Sequence, residues 1–132
     1  RQQELLQQLS QLGKPIISIL IQGRPYDLTL VQQVSDAVLI AWFPGQEGAQ
    51  AIANTLSGDN NPSGRLSVSY PRNAQQLPVY YYQRAASKQD DYYDLSGSPL
   101  LPFGLGLSYT HFAYRDLQVT PAIDNVTISV KV

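Results

Sequence analysis

The sequence predicts an α/β fold with a parallel sheet, followed by a short β segment. Two nearly continuous apolar runs, residues 15–21 and 37–43, are typical of strands that are covered on both faces. Helical periodicity precedes the first run and follows the second, and the segment between the runs is long enough only for a short helix. The order helix, strand, short helix, strand, helix indicates parallel strands joined by crossover helices.

The first helix is predicted over residues 2–12. Leu5, Leu9 and Leu12 recur there at helical spacing, with Leu6 beside them and glutamines on the opposite face. Gly13 follows directly and is a natural C-cap. We therefore expect a surface helix with one apolar stripe.

Two further helices are predicted around the second apolar run. The short one lies within residues 28–35. The longer one ends before Gly58, and its apolar positions follow the i, i+3, i+4, i+7 pattern at Ala49, Ile52, Ala53 and Leu56.

The second half of the chain reads as β structure separated by a long loop. Residues 65–70 alternate apolar and polar side chains, which is typical of an edge or half-exposed strand. Residues 71–104 lack periodicity and are too long for an ordinary connection, so we expect a functional or packing loop. Alternating apolar residues over 112–119 and 126–132 predict two antiparallel strands.

Composition excludes several classes of function. Charged residues make up 14% of the 132-residue chain and the formal net charge is −1, so binding to nucleic acid or to an anionic membrane is disfavoured. No apolar run approaches the roughly 20 residues that span a bilayer. The chain has no cysteine and a single histidine, His111, so we predict no thiolate chemistry, no metal site and no cofactor.

The chain also contains no methionine and begins at Arg1. A primary translation product starts with methionine, so we expect a piece of a longer protein.

The carboxyl edge of the predicted sheet is the place where open parallel sheets bind ligands. Two loops lie there, 23–27 and 44–48, and they supply Arg24, Tyr26, Asp27 and Glu47 as candidate binding residues. Asp27 and Glu47 could form an acid/base pair, but structural roles are favoured. Asp27 can cap the short helix, and Glu47 can complement the dipole of the helix that follows it.

Other motifs are better explained structurally. Gly45 and Gly48 lack the third glycine of a dinucleotide-binding turn, and Glu47 would repel a phosphate there. The loop tyrosines, 80–82 and 92–93, can stack on sugar rings, although covering a neighbouring domain is the favoured interpretation. Trp42 is expected in the core and His111 at the surface. Asn125 begins an Asn-X-Thr glycosylation motif, which matters only in a secreted eukaryotic protein.

Five motifs occur in a specific order and spacing. They are GRP at 23–25, AWFPGQEG at 41–48, GDNNPSGRL at 58–66, QLPVYY at 76–81 and PFGLGLSY at 102–109. Together they resemble the C-terminal α/β-sandwich domain of family 3 glycoside hydrolases, which are mostly β-glucosidases. The resemblance covers about residues 5–114, and residues 112–132 look like the start of the fibronectin-III-like domain that follows in many members.

The resemblance implies a partial three-layer α/β sandwich over residues 1–110, with a mainly parallel sheet, and a truncated β segment over 111–132. It also implies a retaining mechanism with two carboxylates. In the family, the nucleophilic Asp lies in an N-terminal barrel domain and the acid/base Glu lies upstream of the segment that matches Arg1. We therefore predict that this chain is part of a β-glycosidase and supplies scaffold and cleft rim without catalytic residues.

The expected partners follow from this interpretation: the barrel domain, the first part of the sandwich domain, and a sugar in the whole enzyme. The open sheet edge also favours self-association. The alternative is a non-catalytic carbohydrate-binding or interaction module. A flavodoxin-like domain is a weaker third hypothesis, because the phosphate-binding loop it needs is not found.

Overall fold

The structure is a computed structural model that describes residues 1–82 and 93–132. The predicted order helix, strand, short helix, strand, helix is observed in these residues. The elements are α1 Gln2–Ser10, β1 Ile17–Leu20, α2 Thr29–Val34, β2 Ala37–Ile40, α3 Gly48–Ser57, a 3₁₀ turn at Ala74–Gln76, β3 Arg115–Pro121 and β4 Val126–Lys131.

Helix α1 ends two residues earlier than predicted. Gln11, in a helical conformation, is its C-cap, and Leu12 N–H donates to the Leu9 carbonyl in a tighter final turn. Gly13 lies beyond the cap with φ +62°, where it reverses the chain toward β1. Helix α3 ends as predicted, with Gly58 in the left-handed conformation at φ +89°.

Strands β1 and β2 form the parallel pair that the sequence predicts. Their register runs from Ile17 opposite Ala37 to Leu20 opposite Ile40. The residues that directly precede the two strands are also joined: Asp36 Oδ2 accepts a hydrogen bond from Ile16 N–H at 2.8 Å. The described residues contain this one parallel pair and one antiparallel pair, so a mainly parallel sheet is not observed in them.

The two faces of the β1–β2 sheet differ in burial. Leu20 and Ile40 pack against a core formed by Leu28, Tyr70 and Leu101. On the opposite face, three side chains of the first apolar run are exposed: Ile17 at 56%, Ile19 at 39% and Ile21 at 63%. The prediction that this run is covered on both faces is therefore wrong for the described chain, because the core packs on one face only.

Residues 65–70 do not form the predicted edge strand. Leu66 exchanges backbone hydrogen bonds with Gly104 and Leu105, and Tyr70 forms an isolated antiparallel bridge with Leu101. Between these contacts, Phe103 N–H donates to the side chain of Ser69 instead of a backbone carbonyl. The alternation in the sequence is real, but a side-chain acceptor interrupts the ladder.

The described part of the long loop is a packing element. Gln76 is 3% exposed, and its Oε1 accepts a hydrogen bond from Arg72 N–H. Its Nε2 donates to the carbonyls of Gly97 at 2.9 Å and Ser98 at 3.0 Å. Gln76 therefore ties the two arms of the loop together, as a buried amide must if its polar atoms are to be satisfied.

Strands β3 and β4 form the predicted antiparallel ribbon, which begins at Arg115 rather than at residue 112. A bulge at Asp116, with φ +56°, shifts the register, and Lys131 Nζ lies 2.7 Å from the Asp116 carboxylate. The ribbon residues are all exposed. None of the helices in the described residues has the length and apolar character that a bilayer crossing requires.

Candidate functional site

The loops after β1 and β2 meet at the carboxyl edge of the sheet. Gln22 N–H donates to the carbonyl of Trp42 at 3.2 Å and extends the strand pairing into the loops. The next residues also touch: a Cβ at Gly23 would lie 2.6 Å from the ring of Phe43. Glycine at position 23 therefore allows the 23–27 and 44–48 loops to lie side by side, as the sequence predicts for this edge.

Arg24 and Tyr26 form a pair on the first loop. The Arg24 guanidinium carbon lies 5.3 Å from the centroid of the Tyr26 ring, within the range of a cation–π interaction. Both side chains are exposed, with Tyr26 at 46%. The pair presents a cation and an aromatic ring to solvent, a combination suited to contacting a polar ligand with an apolar face.

Asp27 lies one residue before Leu28, the N-cap of α2, and makes a local contact with the start of that helix. Its Oδ1 accepts a hydrogen bond from Thr29 N–H at 2.9 Å, at the start of α2. This contact satisfies one of the free N–H groups of the first turn. Asp27 is exposed, so its carboxylate remains in contact with solvent.

Glu47 lies at the start of α3 on the second loop. Its backbone carbonyl accepts from Ala51 N–H at 3.0 Å, and its side chain makes no capping hydrogen bond to the helix. A Cβ at Gly48 would lie 2.6 Å from Pro44, so glycine is needed where the loop enters the helix. The Glu47 carboxylate is exposed beside the positive end of a ten-residue helix.

A buried polar contact lies beneath the two loops. Gln22 is 7% exposed and Tyr70 is 0% exposed, and the Gln22 side-chain amide donates to the Tyr70 hydroxyl. Burial raises the pKa of the Tyr70 phenol, and the hydrogen bond from Gln22 partly offsets this rise. The Trp42 ring is tilted 47° against Tyr70 at a centroid distance of 6.1 Å.

Sequence reasoning predicted Trp42 in the core, and its half-buried side chain does pack against it. It missed Gln22 and Tyr70 as partners. One signal was available for Gln22: two residues after Leu20, it falls on the core face of β1, where a polar side chain needs a partner.

The tyrosine-rich segment is exposed where the structure describes it. Tyr82 is 94% exposed and Tyr93 is 107% exposed, whereas Tyr81 stacks on Phe103 at a centroid distance of 4.3 Å. Tyr92 lies outside the described residues. These rings are not part of the two-loop edge as far as the described contacts show.

A second polar cluster links the turn at 58–66 to the segment 104–110. Arg65 Nη2 donates to Ser108 Oγ at 2.9 Å, and Ser108 Oγ donates to the Pro62 carbonyl at 2.8 Å. Nearby, Tyr109 OH donates to the Thr55 carbonyl at 2.6 Å. We call this the 62–108 cluster, and its polar groups are used within the protein.

Within residues 1–82 and 93–132, no three or more His, Cys, Asp or Glu side chains are grouped so that they could hold a metal ion.

Comparison with known families decides the classification. Residues 1–109 match the sequence profile described as the glycosyl hydrolase family 3 C-terminal domain. The chain belongs to this family. The resemblance carried by the five sequence motifs is therefore confirmed.

Individual relatives agree with the family match. A periplasmic β-glucosidase from Salmonella typhimurium is 41% identical over 145 residues, covering 99% of this chain and 19% of the relative. A β-xylosidase from Formosa agariphila is 39% identical over 131 residues, covering 97% of this chain and 18% of the relative. The chain thus spans about a fifth of the length of these curated relatives.

Solved structures show the same fold. The crystal structure of a β-glucosidase from Listeria innocua in complex with isofagomine matches with a TM-score of 0.83 and 36% identity, covering 89% of this chain and 18% of that one. A β-glucosidase from Erythrobacter marinus matches with a TM-score of 0.82 and 45% identity, covering 92% of this chain and 16% of that one.

Proposed function

We propose that this chain is part of a glycoside hydrolase that acts on β-glucosides or related β-glycosides by a retaining, two-carboxylate mechanism. The observation that carries the proposal is the family match over residues 1–109. The named relatives are β-glucosidases and a β-xylosidase, so the proposed substrates are β-glucosides or β-xylosides.

In this proposal the 132 residues supply scaffold and cleft rim, and both catalytic carboxylates lie elsewhere in a longer protein. A retaining glycosidase needs two carboxyl groups that face one glycosidic bond about 5 Å apart. Asp27 supports a non-catalytic assignment because its Oδ1 is bonded to the start of α2. Glu47 is on the other loop, at the N-terminus of α3, and its side chain makes no capping hydrogen bond to that helix.

The proposed sugar contacts are Arg24, Tyr26, Asp27 and Glu47. All four are exposed, and Gly23 and Phe43 bring their two loops together. Charged groups that hydrogen-bond sugar hydroxyls and a flat ring that packs on the pyranose are the chemistry required. These residues position the sugar and do not transfer protons.

We further propose that residues 1–110 belong to a three-layer sandwich with a mainly parallel sheet and that residues 111–132 open a fibronectin-III-like domain. The exposed isoleucine face of β1 supports a further layer on that side. In the ribbon, Val119 and Ile128 are paired and 57% and 66% exposed, which supports a β layer packed on them. The isolated chain should therefore self-associate through its open strand edges and apolar faces.

Light scattering of the isolated chain tests this arrangement. We expect dimers or larger species at micromolar concentration. A clean monomer would argue against uncovered faces and against the proposed additional layers.

The catalytic proposal is tested with two proteins and two substrates. The full-length protein encoded by the gene and the 132-residue chain are each incubated with an aryl β-glucoside and an aryl β-xyloside. We expect hydrolysis by the full-length protein, with the β-anomer as the first product in NMR spectra, and no hydrolysis by the chain. Turnover by the chain would refute the absence of catalytic carboxylates. Hydrolysis by neither protein, with millimolar or tighter binding of glucose by the chain, would instead identify a binding module.

A further inference from the structure

We infer that Gln22, Trp42 and Tyr70 form a positioning unit, here called the junction, that fixes the two candidate sugar-binding loops relative to each other. This inference rests on the proposed function for its kinetic consequence, but its structural part stands on the geometry alone. The three residues touch the core on one side and lead directly into the loops on the other.

The first argument is the buried hydrogen bond. The Gln22 amide and the Tyr70 hydroxyl are 48 positions apart in the chain and are buried together. A buried amide donor that loses its acceptor pays the desolvation penalty without compensation. This contact therefore holds the end of β1 to the segment at Tyr70, and residues 23–27 begin immediately after it.

The second argument is the backbone of Trp42. Its φ of +52° places a bulky residue in the left-handed region, which residues other than glycine, asparagine or aspartate rarely adopt. Such a conformation persists only where surrounding contacts determine it, and it occurs most often at functional sites. Here the contacts are the Gln22 N–H on the Trp42 carbonyl and the Tyr70 ring against the indole.

Together the contacts set the direction in which both loops leave the sheet. The left-handed turn at Trp42 directs Phe43 toward Gly23, where the ring leaves no room for a Cβ. Tyr70 contacts the chain just beyond both strands, because it is hydrogen-bonded to Gln22, two residues after β1, and packs on Trp42, two residues after β2. Removing the Tyr70 hydroxyl should therefore increase the mobility of both loops together.

The test compares two tyrosine-to-phenylalanine variants. Tyr70→Phe removes the hydroxyl of the junction. Tyr109→Phe is the control for loss of a tyrosine hydroxyl away from the junction: its side chain is 57% exposed, and its hydroxyl donates a hydrogen bond to the Thr55 carbonyl near the 62–108 cluster. Each variant is made in the full-length protein, for both hydrogen exchange and kinetics.

Hydrogen exchange measured by mass spectrometry needs no activity. We expect Tyr70→Phe to accelerate exchange in peptides covering residues 21–27 and 43–48, and Tyr109→Phe to leave those peptides unchanged. Equal acceleration by both variants, or none by Tyr70→Phe, would overturn the inference.

Kinetics supply the functional readout. Loss of active enzyme through unfolding lowers kcat without changing KM, whereas a displaced binding loop raises KM. We expect Tyr70→Phe to raise KM for an aryl β-glucoside about three- to tenfold with kcat nearly unchanged, in the range of mutations that act through a neighbouring residue. An unchanged KM in an active enzyme would refute the positioning role. If the full-length protein hydrolyses no β-glycoside, the proposed function fails, while the exchange comparison still decides the structural part.

Discussion

The 62–108 cluster and the two loops of the candidate site are both rich in glycine, proline and polar side chains, but the structure uses them differently. In the cluster, Arg65 donates to Ser108, and Ser108 donates to the Pro62 carbonyl. In the loops, Arg24 contacts only the Tyr26 ring among its described interactions, and both project into solvent.

The difference separates two roles that motif recognition treats alike. Both regions carry motifs by which the family is recognised, and the sequence alone does not show whether either region has a structural or a binding role. Polar groups already bonded within the protein have a structural role, while polar groups left to solvent on a supported edge are available for a ligand. We therefore expect substitutions in the cluster to change stability and substitutions in the loops to change binding.

The largest effect is expected from Gly106→Ala. A Cβ at Gly106 would lie 2.7 Å from the Gly64 carbonyl oxygen and 2.7 Å from Arg65 Cδ. Because the backbone oxygen cannot rotate away, the clash should lower the free energy of unfolding by about 2–3 kcal/mol in urea titrations. Gly64→Ala is the control, since nothing lies within 4 Å of its added methyl group. Equal losses in both variants would contradict a specific clash in the cluster.

A smaller loss of stability is expected from Ser108→Ala. The substitution removes the acceptor of Arg65 Nη2 and the donor to the Pro62 carbonyl. Since these groups are only partly buried and water replaces the lost partners, we expect the free energy of unfolding to fall by about 1 kcal/mol in the same titration. Ser63→Ala keeps its backbone carbonyl contact with Arg65 and should be nearly neutral. A neutral Ser108→Ala would show that the cluster is not held by these bonds.

Alkaline pH should weaken the junction. Burial raises the pKa of Tyr70 in the folded chain, so the unfolded chain loses its phenolic proton first as pH rises. The stability from this difference is present below the unfolded pKa of about 10 and is lost as pH rises through the higher folded pKa. Across this pH range, the free energy of unfolding should fall more steeply for the wild-type chain than for Tyr70→Phe. Parallel curves would mean that Tyr70 is not the responsible group.

The smallest change in stability, and the clearest change in binding, is expected from Arg24→Ala. The Arg24–Tyr26 contact is exposed, so its loss should alter the free energy of unfolding by less than about 0.5 kcal/mol. Under the proposed function, KM of the full-length protein for an aryl β-glucoside should rise, because a hydrogen-bonding cation would be lost from the proposed binding loop. Arg24→Lys keeps the charge, so its KM should lie between that of the wild type and that of Arg24→Ala. If KM is unchanged while stability drops, Arg24 belongs with the structural residues.

Local patterns predicted much of the fold. The apolar spacing of α3 and its end at Gly58 were predictable because they depend on residues within one helix. The parallel pair was predictable because long apolar runs with helices between them have few alternatives.

Long-range contacts were the part that the sequence did not reveal. Residues 65–70 carry the alternation of a strand, but the Ser69 hydroxyl interrupts the ladder with a segment more than 30 positions away. The Gln22–Tyr70 bond joins positions 48 residues apart, and no periodicity marks such a pair. For the candidate site, the edge and a local role of Asp27 at the start of α2 were foreseen from loop position, whereas the residues that support the loops were not.

Trp42 is the only tryptophan in the sequence, and it lies in contact with Tyr70 at the base of both loops. Excitation at the red edge of the absorption band would therefore yield emission from one known position in the isolated chain. Its intensity and wavelength would report whether the two strands remain joined at that point. The chain thus carries an intrinsic fluorescent probe at the base of the two loops, where the Tyr70→Phe substitution or a rise in pH should change its emission.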